Sequence, residues 1–241
     1  MPTAAVMKIL VLEHEPEVPA GLLARWATAR GHAMRTLQVP RLRIWPAPGD
    51  WDAVVSLGSD LSTHASPDAW IGREIEFLRQ AHQAGVPVLG ICFGGQALAL
   101  ALGGSVRRAE LVEVGWSATE STDPELLPRG PWFRWHEDVF SVPPGARELA
   151  RSDAGPLAFV SGQSIGLQFH PEADAALIRE WIDGARHRMG EPAIDEHALL
   201  GEIAALADAA RARAEDLFDR IAAHWLDFRR RTPTTVGRCA G

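Results

Sequence analysis

The sequence predicts an α/β fold in which a mostly parallel central sheet lies between two layers of helices. Short apolar runs, typical of buried strands, alternate along the chain with segments whose apolar residues recur at helical spacing. Such alternation is typical of parallel strands joined by crossover helices. With 241 residues, the chain is also long enough for one large domain with a sizeable core, and we expect an appendage beside it.

The first half of the chain supplies most of the predicted parallel sheet. Between residues 68 and 84 the apolar residues recur at helical spacing, and Gly85 and Pro87 then end the helix. A buried strand is predicted directly after this helix, followed by a second helix that is rich in small residues. The predicted elements are, in order, strand 8–15, helix 18–32, strand 34–39, strand 51–59, helix 68–84, strand 87–92 and helix 94–104.

The middle of the chain has a different pattern. Apolar residues alternate over 106–120 and 131–142, which predicts antiparallel or irregular structure rather than helix. The stretches 156–162 and 164–172 predict a hairpin that turns at Ser161 to Ser164. This part of the chain is therefore expected to depart from the parallel pattern.

Helical spacing dominates after His170 and predicts helices over 174–189 and 195–231. We therefore expect two parts, an α/β domain over residues 1–189 and a helical C-terminal extension over 190–241. The extension has an apolar stripe, which packs either on its own domain or against a second copy or a partner. The stripe consists of Leu199, Ile203, Leu206, Ala210, Ala214, Leu217, Ile221 and Phe228.

Composition limits the partners and the compartment. The formal net charge is -7 and basic residues are scattered, which argues against nucleic acid or an anionic membrane as the main partner. The first apolar segment is too short for a signal peptide and is followed by acidic residues. Because Cys92 and Cys239 lie far apart, we expect a reducing cytoplasm rather than a disulfide framework.

Cys92 lies in the stretch GICFGGQ, where a predicted strand meets a predicted helix. A central residue between glycines two positions before and after it is typical of a sharp elbow, in which its side chain projects outward. The N–H groups and the positive dipole end of the following helix would favour a thiolate and any oxyanion formed beside it. The pattern predicts a nucleophilic cysteine, although a buried structural cysteine packed among small residues also fits it.

His170 and Glu172, in LQFHPE, are the predicted partners of that cysteine. The period of two along a strand places both on the same side, with Pro171 closing the strand. A carboxylate beside an imidazole can bind one ring N–H and leave the other nitrogen to take a proton from sulfur. The chain contains no asparagine, so the orienting group must be a carboxylate or a glutamine amide, and Glu172 is the nearest candidate.

Together these stretches resemble the class I glutamine amidotransferase family of the Cys-His-Glu type. The segments EVGW at 113–116 and WHED at 135–138 resemble segments of stand-alone family members, which are themselves similar to the amidotransferase portion of GMP synthase. The resemblance covers about Lys8 to Met189. It implies a flavodoxin-like three-layer α/β/α fold.

The resemblance also implies a reaction, hydrolysis of a glutamine side-chain amide through a thioester. Cys92 would attack the amide carbon, His170 would accept the thiol proton and return it to departing ammonia, and Glu172 would orient His170. Two backbone N–H groups must stabilise the oxyanion. One is expected from Phe93, and the other from the loop after the third strand, near Gly58 and Ser59.

Three further positions are assigned by resemblance to the substrate pocket. Gln96, in the first turn of the helix, matches the position that holds the amino acid end of the substrate. Gly94 is also assigned to substrate binding, and His136 is expected at the pocket rim or in a partner contact. Two positions depart from the family pattern. Leu57 stands where the first of two consecutive glycines is usual, which leaves the second oxyanion donor open, and Glu137 replaces a usual glycine.

The sequence leaves three functions open. The first is a cytoplasmic glutaminase-type amidotransferase that supplies ammonia to a separate synthetase subunit. A free-standing γ-glutamyl hydrolase or peptidase would use the same three residues, and a non-catalytic binding protein on this scaffold is the third. No zinc motif or phosphate-binding loop occurs, so we expect no metal and no cofactor, only a small-molecule substrate such as glutamine or a γ-glutamyl compound, with a homodimer possible.

Overall fold

The structure of the protein, a computed structural model, describes residues 6–185 and 195–231. Nine strands and five helices of the described residues define the fold. The strands are β1 Lys8–Glu13, β2 Ala33–Gln38, β3 Ala53–Ser56, β4 Val88–Ile91, β5 Val106–Thr119, β6 Gly130–Phe140, β7 Arg147–Arg151, β8 Pro156–Ser161 and β9 Ser164–Leu167. The helices are α1 Gly21–Ala29, α2 Ala69–Gln83, α3 Phe93–Ala101, α4 Ala175–Ala185 and α5 Glu196–Arg231.

The central sheet has seven strands in the order β2-β1-β3-β4-β9-β8-β7. The first five are parallel, and β8 and β7 continue the sheet in antiparallel pairs. The predicted hairpin is present, with Ser161 paired to Ser164. The predicted class, a mostly parallel sheet within an α/β fold, is therefore confirmed.

Helices cover both faces of this sheet. Successive residues of β1 point to opposite faces, so its side chains enter both of the resulting cores. Ile9 and Val11 belong to a core shared with α1 and α5, whereas Leu10 and Leu12 belong to a core shared with α2 and α3. All four side chains are fully buried. Burial on both faces explains why the strand is almost continuously apolar.

Helix α5 is a single helix of 36 residues. Six of the eight residues of the predicted stripe are buried, and Phe218 and Trp225 are buried with them. Several of these side chains join the core on the α1 face of the sheet. The stripe therefore packs within its own chain. The predicted boundary between residues 189 and 190 lies outside the described residues.

Strands β5 and β6 form a separate antiparallel pair, as expected for alternating segments, with an irregular register between Arg108 and Glu113. Strand β7 was not predicted, because its sequence, RELAR, is mostly charged. An edge strand needs only one buried side, which here includes Leu149. Within the described part of the chain, no helix is both long enough and apolar enough to span a bilayer.

Candidate active site

The sharp turn between β4 and α3 presents Cys92. Its φ is 51°, and it is the one non-glycine residue with positive φ in the described ranges. A Cβ on Gly90 would lie 2.3 Å from the carbonyl oxygen of Gly94, and a Cβ on Gly94 would lie 2.1 Å from that of Ser56. Strand, turn and helix thus pass one another with no room for side chains, which explains the glycines.

His170 and Glu172 lie just beyond the end of β9, which is shorter than the predicted strand. His170 Nδ1 is 2.7 Å from Glu172 Oε1, and both side chains are buried. Burial lowers the pKa of His170, but the Glu172 carboxylate and the sulfur of Cys92, through charge and hydrogen bonding, raise it well above its ordinary value. These contacts thus favour a proton on the imidazole, which is the form that His170 takes once it has accepted a proton from the thiol.

The main chain around this pair is held by other elements. The N–H of His170 donates to the carbonyl of Phe133 in β6 at 2.8 Å, and the N–H of Leu22 in α1 donates to the carbonyl of Glu172 at 2.8 Å. Gly21 has a φ of 44°, and a Cβ there would lie 2.2 Å from the Glu172 carbonyl oxygen. The glycine that begins α1 thus allows the helix to reach the Glu172 backbone.

A pocket opens above Cys92 and His170. Its walls include two indole rings, which meet edge to face at 6.2 Å, and Trp181 also lies edge to face with His170 at 4.9 Å. Trp181 comes from α4, and sequence reasoning did not assign it to the site. The lining residues are Val18, Ser59, Asp60, Cys92, Trp135, His170 and Trp181.

A thiol, an imidazole and a carboxylate thus lie close together beside a pocket at the carboxyl ends of parallel strands. The model of the family described as glutamine amidotransferase class-I matches residues 53–179, which include Cys92, His170 and Glu172. The chain belongs to this family. The predicted resemblance to class I glutamine amidotransferases is confirmed.

Sequence relatives of this amidotransferase include glutamine-hydrolysing GMP synthases. That of Aeropyrum pernix is 38% identical over 132 residues, which is 51% of this chain and 26% of the relative. That of Thermus thermophilus is 41% identical over 105 residues, or 37% of this chain and 19% of the relative. The chain therefore matches about a quarter or less of the length of these relatives.

Solved structures resemble nearly the whole amidotransferase chain. A glutamine amidotransferase from Thermotoga maritima is 25% identical, with a TM-score of 0.82 over 90% of this chain and 99% of that one. One from Methylobacillus flagellatus, 24% identical, has a TM-score of 0.83 over 93% and 96% of the two chains. The likeness to the Methylobacillus structure shows a shared fold, and it covers too much of this chain to leave out α5.

The loop after β3 places two of the predicted oxyanion residues beside the amidotransferase pocket. A Cβ on Gly58 would lie 3.2 Å from His170 Cε1, and Ser59 lines the pocket with its hydroxyl donating to Glu15 at 2.6 Å. Leu57, in the place of the usual glycine, is fully buried, and its carbonyl accepts from the N–H of Gly94. The side chain at this departure from the family pattern therefore packs into the core.

Gln96, which was predicted to bind substrate, does not line the pocket. Its buried amide donates to the carbonyl of Asp138 at 3.2 Å and to Gln168 Oε1 at 3.4 Å. Gln168 in turn places Nε2 3.7 Å from the sulfur of Cys92. Sequence reasoning did not single out Gln168, although the alternation of LQFHPE places it two residues before His170.

His136 also lies apart from the pocket lining. Its side chain is 1% exposed, and Nε2 is 3.1 Å from Glu113 Oε2 across the β5–β6 pair. Burial raises the pKa of Glu113, but contact with His136 and the charge of Arg134, with a hydrogen bond from Ser152, lower it to about 2. The neighbouring Trp135 faces the pocket instead, and its carbonyl lies 3.8 Å from the Cys92 sulfur.

Proposed function

We propose that this protein hydrolyses the side-chain amide of glutamine, with Cys92 as nucleophile, His170 as general base and Glu172 as the group that orients His170. The observation that carries this proposal is the 2.7 Å contact of Glu172 with Nδ1 of His170, which lines the same pocket as the strained Cys92. That contact leaves Nε2 of the imidazole for the thiol. Backbone strain of this kind clusters at functional sites.

The chemistry follows from these groups. Proton transfer from Cys92 to His170 gives a thiolate that attacks the amide carbon, and the carbonyl electrons form an oxyanion. N–H groups at Phe93 and at Gly58 or Ser59 would stabilise this oxyanion. The oxyanion then re-forms the carbonyl and the C–N bond breaks, while His170 donates its proton to the departing nitrogen, which leaves as ammonia. Water activated by the now neutral His170 finally cleaves the γ-glutamyl thioester to glutamate.

Gln96 and Gly94 support the site in this proposal by fixing its walls. Gln96 holds Gln168 beside the sulfur, and the N–H of Gly94 holds the carbonyl of Leu57. The amino acid end of the substrate would then lie between Val18, the loop at Ser59 and the two tryptophans. His136 would act through Glu113 rather than by touching the substrate.

The relatives named as GMP synthases suggest what happens to the ammonia. We propose that it passes to an acceptor held by a synthetase partner in the cytoplasm, where reducing conditions preserve the thiol.

We also propose that residues 1–189 form the amidotransferase domain and 190–241 its helical extension. The packing of α5 on the sheet supports an extension fixed to the domain.

The test is ammonia release from glutamine by the purified protein, with Cys92→Ala as the inactive control. A diazo-ketone analogue of glutamine should add once, at Cys92, and abolish the activity, and peptide mass mapping would locate the adduct. Cys239 provides an internal comparison, since it is the second cysteine of the chain. An adduct confined to Cys239, or none on folded protein, would contradict the proposal.

A second candidate is hydrolysis of a γ-glutamyl amine or dipeptide, which passes through the same thioester. The observation that favours it is the aromatic wall of Trp135 and Trp181, which offers apolar surface to a leaving group larger than ammonia. Steady-state rates on glutamine and on a panel of γ-glutamyl compounds distinguish the two. Fast turnover of one such compound, with glutamine poor, would establish the second candidate.

A further inference from the structure

A buried ion pair lies beneath the loop that follows β3, outside the pocket lining. His14 follows β1, Glu74 lies on α2, and neither side chain is exposed. His14 Nε2 is 2.9 Å from Glu74 Oε2, and the other carboxylate oxygen accepts from the hydroxyl of Ser56 at 2.7 Å. Burying such a pair is costly unless its polar atoms are satisfied, and the mechanism above does not use it.

The second nitrogen of this imidazole holds the loop. His14 Nδ1 is 2.8 Å from the carbonyl oxygen of Gly58, and because a carbonyl only accepts, Nδ1 carries the hydrogen. Burial lowers the pKa of His14, but the charge and hydrogen bond of Glu74 and the Gly58 carbonyl, with the charge of Glu15, raise it above its ordinary value. Nδ1 thus faces a carbonyl oxygen and Nε2 a carboxylate oxygen, an arrangement that suits an imidazole with an N–H group at each nitrogen.

Fixing this carbonyl also fixes the N–H of the same peptide group. No cis peptide occurs in the described residues, and in a trans peptide the N–H points away from the C=O. The N–H of Ser59 therefore points away from His14, and Ser59 lines the pocket. The preceding peptide is held as well, since the carbonyl of Leu57 accepts from the N–H of Gly94 at 3.0 Å.

The same imidazole touches the other side of the site. Its ring lies 4.7 Å from the ring of Phe93, whose N–H is the first proposed oxyanion donor, and it stacks on Trp70 at 5.2 Å. Trp70 and Glu74 are one turn apart on α2. One side chain thus contacts both segments from which the oxyanion donors would come.

We propose that His14, held by Glu74, is a positioning residue of the oxyanion hole, which fixes the Gly58–Ser59 peptide so that the Ser59 N–H stabilises the oxyanion. This inference rests on the proposed function. It names the second donor at the loop where Leu57 replaces the usual glycine. A misplacement of about 1 Å in such a site can cost about 100-fold in rate.

Three variants separate the effect of the hydrogen bond to Gly58 from the effect of the charge on His14. His14→Asn keeps an amide N–H near the position of Nδ1 and should retain kcat within about fivefold. The double variant His14→Leu with Glu74→Gln removes the donor without leaving a buried charge, and should lose about 10- to 100-fold in kcat with little change in KM. Glu74→Gln alone keeps an acceptor for Nε2, and its kcat should lie between those of the other two variants. It replaces the double variant in the test if the double variant does not fold.

The matched control is His82→Asn. His82 lies at the other end of α2, where it bonds the hydroxyl of Ser164 at 2.9 Å, and it is not part of the pocket lining. Its substitution should leave kcat unchanged. The substrate for all variants is glutamine, or the γ-glutamyl compound that the wild-type protein hydrolyses fastest.

The rate at which iodoacetamide alkylates Cys92 distinguishes a misplaced oxyanion donor from a general disturbance of the site. The thiolate displaces iodide in one step, and no oxyanion forms, so the alkylation rate should stay within about twofold of wild type in every variant. Equal losses of alkylation and hydrolysis, or unchanged kcat in the double variant, would overturn the inference while the proposed function stands. A wild-type protein that hydrolyses neither glutamine nor any γ-glutamyl compound would overturn both.

Discussion

At the scale of single residues, the candidate site combines a strained cysteine with a buried histidine and a buried glutamate. Holding Cys92 at positive φ costs about 1–3 kcal/mol, which the packing of the flanking glycines must offset. Glu172 is completely buried, and its contact with His170 reduces the cost of burying either charge. Each substitution here therefore changes both chemistry and stability, so activity must be compared among variants that remain folded.

Glu172→Gln is expected to retain more activity than His170→Ala. The amide oxygen of glutamine can still accept the N–H at Nδ1, whereas removal of the imidazole removes proton transfer, typically worth about 100- to 10,000-fold. The measurement is kcat for both variants on the best substrate, after their unfolding midpoints have been checked. Equal losses would show a different role for Glu172, and full activity in Glu172→Gln would contradict its assignment.

Glu113→Gln is expected to lower the free energy of unfolding at neutral pH, and the effect should disappear in acid. Since the folded-state pKa of Glu113 is about 2 against an ordinary 4.5, its stabilisation is complete above about pH 4.5 and is lost as the pH falls towards 2. Urea unfolding at a series of pH values, with the exposed Glu110→Gln as control, measures this. A difference between Glu113→Gln and wild type that is independent of pH would contradict the assignment.

At the scale of elements, the order of the strands explains where the site forms. The carboxyl ends of β3 and β4 deliver the Gly58 loop and Cys92 side by side, because these strands are parallel neighbours. The end of β9, the next strand, delivers His170 from a distant part of the sequence. Helix α4 then closes the pocket with Trp181.

Phe218→Ala in α5 is expected to cost about 3–5 kcal/mol of unfolding free energy, the range for deleting a buried aromatic ring. Phe218 is 1% exposed and lies 5.7 Å from the ring of Trp26 in α1. The control is Leu200→Ala in the same helix, where 38% of the residue is exposed and the cost should stay below about 1 kcal/mol. Similar costs for the two variants would mean that α5 does not pack on the sheet as described.

The features that the sequence predicts correctly have a local signal, and those that it does not predict depend on contacts between distant segments. Glycine spacing predicts the turn at Cys92, because the steric demand lies within five residues. Trp181 reaches the pocket through the packing of α4, which no local pattern reports. The contact of His136 with Glu113 depends on the register of β5 against β6, which is set by their pairing and by an irregularity near Glu113.

At the scale of the whole molecule, helices α1, α2, α3 and α5 share their cores with the central sheet. Residues from α1, α5 and the sheet lie in one cluster, and those from α2, α3 and the other face lie in a second. The ion pair of Arg30 with Asp219 and the contact of Arg229 with Asp52 join α5 to the domain at two further places. A helix so attached is expected to unfold together with the sheet.

Thermal or urea unfolding should therefore give one transition. Far-ultraviolet circular dichroism follows all helices, including the 36 residues of α5, while tryptophan fluorescence follows the site and both cores. Coincident midpoints and steepness from the two probes are expected for a cooperative unit. An early loss of helical signal, with the fluorescence unchanged, would instead show that α5 unfolds independently.

The position of α5 has a consequence for synthesis of the chain on the ribosome. The face of β1 that carries Ile9 and Val11 is made first, yet much of its cover comes from residues 214–225. Until that segment emerges, apolar surface on this face stays open to water and to other chains, which favours aggregation. Slow translation of the segment that forms α5 should therefore lower the yield of folded protein, and a chaperone that binds exposed apolar surface should restore it.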